Sequence, residues 1–217
     1  MAWRDLHGIG TWLSTIGSVA AVAASGVSLW ETVLKQPQLK VYVGDQVSYT
    51  RDPYGSYEVF AVPITVSNGG ARDGAVMSLR LELANTATGE KDMFDAAYTA
   101  DASWFAGSDN LTTRSKRPKS PFAPLSIAGR SRWSGTVLFY SPEFREKKIA
   151  EPKAQVSGQL SLIMDAPDGW LDRVVQPRDL PAIPLTLQVP NYLPGALLSG
   201  DVVRVRVGAA VGGAPVK

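Results

Sequence analysis

An uncharged stretch from Gly8 to Trp30 constrains the fold of this chain more than any other feature of its sequence. A helix needs about 20 mostly apolar residues to cross the hydrocarbon core of a bilayer, and this stretch is long enough. Trp12 lies near its start, and a helix would separate Trp12 from Trp30 by roughly 27 Å at about 1.5 Å per residue. Because indole rings favour the headgroup level, we predict a single N-terminal transmembrane helix in the lipid bilayer, with both tryptophans at membrane interfaces.

Small residues repeat along one face of the predicted helix. Gly17, Ala21 and Ser25 follow one another at intervals of four residues, which places them on the same face. Small side chains at this spacing let two helix backbones approach closely in lipid. The stripe therefore predicts helix packing, either with a protein partner or with a second copy of the chain.

Two other interpretations of the N-terminal stretch stay open. Arg4 before an apolar run that contains Ala21-Val22-Ala23 matches a cleavable secretory signal peptide, although the apolar character continues to Leu34. The stretch also matches the buried helix of a soluble oligomer, because length and composition do not separate that case from a membrane span.

The sequence pattern changes at Pro37. Beyond it, short segments alternate apolar and polar residues between clusters of Gly, Pro, Asn and Asp, as β-strands and turns do. Leu79, Leu81 and Leu83 show this alternation. No sustained helical period follows, so the pattern predicts an all-β antiparallel sandwich, with a barrel as the alternative. We expect a transmembrane helix in residues 1–36, a β domain in residues 37–208 and a flexible tail in residues 209–217.

One segment of the β domain carries a family resemblance. From Val62 to Val76 a strand leads through Asn68-Gly69-Gly70 into the next strand. This segment resembles bacterial immunoglobulin-like adhesion and accessory domains, in which a strand of the form V-x-V-x-N-x-G precedes a tight turn. The resemblance covers Phe60 to Leu83 and implies an immunoglobulin-like β-sandwich and no activity. The Cys-Trp-Cys core of antibody domains is missing, so only the wider sandwich class is implied.

Composition excludes several kinds of chemistry. The chain has no cysteine, which removes disulfides, thiolate nucleophiles and thiolate metal sites. Its only histidine, His7, precedes the predicted helix, so the β domain has none for a Ser-His-Asp triad. The net charge of +2 gives no general attraction to nucleic acid. We predict no enzyme activity, no cofactor and no metal site, because Asp165, Asp168 and Asp172 fit turns better than a calcium loop.

The densest positive charge lies between residues 114 and 119. Arg114, Lys116, Arg117 and Lys119 form this run. Near a membrane anchor such a cluster attracts anionic lipid, and it also suits an acidic partner. The interrupting Ser and Pro residues favour the alternative of a solvated loop.

Two functions compete at this point. The chain is either a single-pass membrane-anchored protein whose β domain is a non-catalytic binding or assembly module, or a subunit of an oligomeric membrane pore or channel built on the helix. Lys35 and Lys40 follow the span within about 15–20 residues, and only Arg4 and the terminal amine precede it, which slightly favours a cytoplasmic β domain. Analogy with bacterial immunoglobulin-like modules, which usually work outside the cytoplasm, argues for the periplasm.

Overall fold

The computed structural model describes residues 4–51, 57–100, 119–164, 182–198 and 201–208. Helix α1 (Arg4–Leu29) opens the chain and continues as a π-helical turn (Trp30–Leu34). A short helix, α2 (Pro194–Leu198), precedes the last strand. The strands are β1 (Leu39–Val43), β2 (Gln46–Arg51), β3 (Glu58–Asn68), β4 (Gly74–Asn85), β5 (Lys91–Ala100), β6 (Lys119–Pro121), β7 (Leu125–Ile127), β8 (Arg132–Tyr140), β9 (Gln155–Met164), β10 (Ile183–Gln188) and β11 (Val203–Gly208).

Eight strands close into an antiparallel barrel. Their order around the ring is β5, β8, β3, β2, β11, β10, β9 and β4, and pairing between β4 and β5 closes it. Three short strands add to this ring: β1 pairs with β3, β6 with β5 and β7 with β4. Every described strand pair is antiparallel.

The predicted immunoglobulin-like sandwich is wrong. A sandwich consists of two separate sheets, whereas here strand β5 joins what would be the two sheets. Its first half pairs with β4, with Ala84 opposite Lys91, and its second half pairs with β8, with Ala100 opposite Thr136. Asp95 pairs with both strands, and the β5–β8 register is irregular just after it, between Ala96 and Tyr98. Inward and outward residues alternate with the same period in sandwiches and barrels, so the sequence pattern could not separate them.

The resemblance around residues 60–83 also misled the fold assignment. Strands β3 and β4, which the Asn68-Gly69-Gly70 turn connects, are not neighbours in the ring. The turn crosses from one side of the barrel to the other, and it is held by hydrogen bonds to the chain that leaves the helix. The sequence pattern of a strand followed by Asn and Gly therefore predicted the turn correctly but predicted the wrong fold.

The barrel interior is a packed core. Tyr49, Phe60, Phe94 and Phe139 are among its largest fully buried side chains. The rings of Tyr49 and Phe60 are 5.1 Å apart, and Phe94 meets Phe60 edge-on at 4.9 Å. Aromatic pairs at such separations add to the free energy gained from apolar burial. Strand β4 alternates buried and partly exposed residues along most of its length, as one wall of this core requires.

The N-terminal helix stands outside this core. Its segment Gly17–Leu34 is long and apolar enough to cross a membrane, and none of that segment is buried by the rest of the protein. The β domain of the same chain therefore does not bury this segment. Length and composition of this kind are shared by membrane spans and N-terminal signal sequences.

We distinguish two ends of the barrel by the connections that they contain. The helix end comprises Glu31–Lys40, Ser67–Asp73 and Ala128–Arg132, where the chain enters from the helix. The far end comprises Asn85–Asp92 and Ser141–Ala154, the connections at the opposite ends of β4 and β8.

Candidate functional site

Backbone hydrogen bonds join the helix to the barrel. The carbonyl of Lys35 accepts hydrogen bonds from the N–H groups of Ala71 and Arg72, at 3.0 and 3.1 Å. Farther along, the carbonyl of Gln38 accepts one from the N–H of Gly69 at 2.9 Å. We call this joint the clasp and define it as Lys35–Gln38, Asn68–Arg72 and Ala128–Ser131. The chain thus passes from the helix into the barrel without a free linker.

Asn68 is the central side chain of the clasp and is only 3% exposed. Its Oδ1 accepts hydrogen bonds from the N–H groups of Gln38 at 3.1 Å and Gly70 at 2.9 Å. Its Nδ2 donates to the carbonyls of Arg72 at 2.8 Å and Ile127 at 3.1 Å. An amide group can make four such bonds. Here two of them brace the Asn68–Arg72 segment itself, one reaches Gln38, and one reaches Ile127, the residue just before the third segment. Losing this side chain would leave several buried backbone groups unpaired.

Two glycines are required by the close approach of these segments. A Cβ on Gly70 would lie 2.0 Å from the carbonyl oxygen of Gln36, and a Cβ on Gly129 would lie 2.0 Å from that of Ala71. No side chain fits at such distances. Gly69, by contrast, has no atom closer than 3.7 Å to the position of a Cβ.

Side chains extend the joint back to the end of the helix. The guanidinium of Arg130 donates a hydrogen bond to the carbonyl of Glu31, and Arg130 itself has a φ of 57°. Arg72 Nη1 donates to Gln36 Oε1 at 3.3 Å. Lys35 Nζ pairs with Glu31 Oε2 at 3.0 Å. Arg130 therefore holds the last helical turn, and Arg72 holds Gln36 just after it.

A groove runs along the outer face of β1, β3 and β8 close to the helix end. Its volume is about 640 Å³. Hydroxyl groups are concentrated along it, and Thr65 Oγ1 and Ser134 Oγ are hydrogen-bonded at 2.9 Å. Tyr42 lies beside them and is 57% exposed. The other lining residues with hydroxyl groups are Thr99, Ser120 and Thr136. Hydroxyls and an exposed aromatic ring can bind a polar ligand, and they supply no acid, base or nucleophile pair.

A buried carboxylate is found on strand β3 toward the far end. Glu58 is 2% exposed. It accepts hydrogen bonds from the hydroxyl of Tyr49 at 2.9 Å and from the N–H groups of Ile149 and Ala150 at 3.0 and 3.1 Å. Burial raises the pKa of Glu58 above its ordinary value, against the opposing effect of these donors.

The surroundings of Glu58 indicate a structural role. Burial, together with the nearby Glu58 charge, raises the pKa of Tyr49 far above its ordinary value, and burial also raises that of Tyr192. The hydroxyl of Tyr192 donates to the carbonyl of Ala150, so the connection between β8 and β9 is tied to the barrel from two sides. A carboxylate that is sealed from solvent and fully engaged by donors holds a loop in place and has no access to a substrate.

The far end contains a second buried carboxylate with a similar arrangement. The side chain of Asp92 is 3% exposed and lies 2.9 Å from Arg145 Nε. Ser141 donates a hydrogen bond to the same carboxylate at 2.8 Å. These contacts fasten the same β8–β9 connection, so this carboxylate also stabilises the fold.

The residues singled out from the sequence are distributed as follows. Trp30 is 48% exposed at the end of the helix, and Trp12 lies in α1. Gly17, Ala21 and Ser25 lie on the exposed part of α1, and Ser25 Oγ donates to the carbonyl of Ala21 at 2.7 Å. Their roles in membrane contact and helix packing stay predictions.

The basic run falls mostly outside the described residues. Arg114, Lys116 and Arg117 lie outside them, and Lys119 is described only as the first residue of β6, paired with Ala100. The aspartates considered for calcium, Asp165, Asp168 and Asp172, also lie outside. Across the described ranges, no group of three His, Cys, Asp or Glu side chains is placed to hold a metal ion.

Sequence reasoning missed the clasp and the buried glutamate. The sequence indicated Asn68 only as part of a turn. Glu58 did leave a signal, because it is an acidic residue directly before an apolar strand. Such a residue indicates either a strand end or a buried, hydrogen-bonded carboxylate.

Comparison with known proteins adds little to this geometry. No protein-family model and no curated protein matches the chain. A solved structure assigned as an ApaA protein from Bordetella pertussis is similar at 13% identity with a TM-score of 0.31, covering 73% of this chain and 93% of that one. The structural genomics target SoR45 is similar at 9% identity with a TM-score of 0.29, covering 58% of this chain and 74% of that one. Neither likeness assigns a family or a function.

Proposed function

We propose that the protein is a single-pass membrane protein whose β-barrel is a non-catalytic binding or assembly module held at the bilayer surface. The observation that supports this most is the position of the clasp. The candidate span ends at Leu34, and the carbonyl of the next residue, Lys35, already accepts two hydrogen bonds from the barrel.

A rigid joint suits a module that must face in a fixed direction. A flexible linker lets a tethered domain sample many orientations, whereas the clasp restricts the barrel to one orientation relative to its helix. The outer groove with Thr65 and Ser134 lies next to the clasp. It is the surface that we propose for binding, with a polar ligand or partner segment as its occupant.

The barrel is proposed to lie on the cytoplasmic side. Lys35 and Lys40 after the span, against Arg4 and the terminal amine before it, support this placement. The short N-terminal segment would then be on the opposite side of the membrane.

Extraction, protection and mass measurements on the native chain test this function together. We expect the protein to stay in the membrane fraction in alkaline carbonate, and its intact mass to show that the N-terminal helix has not been cleaved. In sealed spheroplasts the barrel should resist protease until the spheroplasts are lysed. Release by carbonate, or a mass that corresponds to cleavage after Ala23, would contradict the membrane anchor. Digestion of the barrel in sealed spheroplasts would contradict the cytoplasmic placement alone.

A second candidate is a subunit of an oligomeric membrane assembly, such as a pore or channel, built on α1. The exposed Gly17, Ala21 and Ser25 stripe supports it, because the Ser25 hydroxyl is satisfied within the helix and leaves the face free to pack. Crosslinking in native membranes distinguishes the two functions. A ladder that disappears in Gly17→Ile/Ala21→Ile would favour the assembly, and a monomer would exclude it.

A further inference from the structure

The helix end of the barrel concentrates positive charge that is spread out in the sequence. Five basic residues lie there: Lys35, Lys40, Arg72, Arg130 and Arg132. The only acidic residues in the same ranges are Glu31 and Asp73. The far end, defined by ranges of similar length, carries equal numbers of acidic and basic residues. Among these described ranges, the excess of positive charge therefore belongs to the helix end.

The fold, and not sequence proximity, assembles this group, which we call the collar. Lys40, Ser67 and Arg132 are direct neighbours across β1, β3 and β8, and the Lys40 and Arg132 side chains are exposed. Arg130 and Lys35 contact Glu31 at the end of the helix. Three segments that are far apart in the chain thus place their cations around the point where the helix leaves the barrel.

The position of the collar specifies its partner. The candidate span ends at Leu34, one residue before Lys35, so the collar lies at the level of the headgroups if the helix crosses the bilayer. Basic residues at that level are attracted to anionic lipids, and the attraction falls off within a Debye length of about 10 Å. We propose that the collar binds the anionic phospholipid headgroups of the bilayer that its own helix spans.

This inference rests on the proposed function, because it requires the helix to be in the membrane. Binding of headgroups at Lys40 and Arg132 would place the helix end of β1, β3 and β8 at the membrane, with the outer groove farther along the same strands. It would also favour the cytoplasmic leaflet, which carries the anionic lipids.

The experiment reconstitutes the full chain in vesicles of phosphatidylcholine that contain some phosphatidylglycerol. Electron paramagnetic resonance of spin-labelled lipids measures how much of each lipid is immobilised by the protein. We expect a preference for phosphatidylglycerol that decreases in Lys40→Gln/Arg132→Gln, by up to about fivefold for each charge removed. The matched control, Lys91→Gln/Lys153→Gln, removes two exposed charges from the far end and should leave the preference unchanged.

The outcomes separate the collar from the anchor. The total amount of immobilised lipid reports on the helix, and the ratio of the two lipids reports on the collar. A protein that immobilises lipid without preferring phosphatidylglycerol, or a preference that survives Lys40→Gln/Arg132→Gln, would overturn the proposal and leave the anchor intact. Inorganic phosphate should reduce the preference no more than sodium chloride does at equal ionic strength. A larger effect of phosphate would indicate a site for free phosphate and would also overturn it.

Discussion

Glu58 shows how this barrel uses a charged side chain without exposing it. The carboxylate is surrounded by three donors, two of them backbone N–H groups of the β8–β9 connection. Removing a carboxylate from water is costly, and hydrogen bonds return only part of that cost. The raised pKa of Glu58 expresses this balance. Asn68 plays the corresponding role at the helix end, with an uncharged amide that carries no such pH dependence.

The raised pKa predicts how stability depends on pH. Because folding favours the protonated Glu58, its stabilising effect is present below the ordinary pKa of 4.5 and is lost as pH rises through the higher folded value. Glu58→Gln lacks this dependence. The melting temperature of Glu58→Gln relative to the unmodified protein should therefore increase as pH rises above 4.5.

Thermal unfolding of the full chain in detergent, followed by tryptophan fluorescence at several pH values, measures this difference. Glu151→Gln, at an exposed position, is the control and should show no comparable trend. A relative melting temperature for Glu58→Gln that falls or stays constant over the same range would show that Glu58 is not held in this way.

At the scale of elements, the joint between α1 and β1 depends on how closely three connections pack. The carbonyl of Gln36 occupies the place where Gly70 would carry a Cβ. Strand β1 begins directly after this contact, with Leu39 opposite Asn68. The register of β1 on β3 and the exit of the helix are therefore fixed by the same few residues.

Adjacent glycines provide a matched test of the clasp. Gly70→Ala must move the backbone at Gln36, and we expect it to lower the free energy of unfolding by about 2 kcal/mol, as overpacking of a close contact does. Gly69→Ala meets nothing closer than 3.7 Å and should change stability by less than about 0.5 kcal/mol. Denaturant unfolding of both full-length variants in detergent compares them. Equal effects would mean that the close approach at Gly70 is not required.

The elements differ in how far the sequence could predict them. The helix and the alternation of Leu79, Leu81 and Leu83 are local patterns, and both were visible. Closure of the barrel was not, because it depends on β5 pairing with two different strands. The clasp was invisible for the same reason: Asn68 bonds to Gln38 and Ile127, which lie far from it in the chain. Local periodicity carries no information about such partners.

At the scale of the whole molecule, the described residues form one exposed apolar helix and one closed barrel joined without a linker. The core contains the buried aromatic rings, and the buried carboxylates Glu58 and Asp92 fasten the far end. The helix end carries the clasp and the collar. In the proposed arrangement, the far end stabilises the barrel and the helix end contacts the membrane.

The most direct test of this arrangement is a distance distribution between helix and barrel. The chain has no cysteine, so Val22→Cys and Arg204→Cys place two unique spin labels, both at exposed positions. Double electron–electron resonance on the full chain in lipid nanodiscs should give one narrow distribution. Asn68→Ala should broaden it, whereas Asn85→Ala, which removes an equally buried amide at the far end, should leave it narrow. A broad distribution in the unmodified protein, or one that Asn68→Ala does not change, would contradict a rigid joint between helix and barrel.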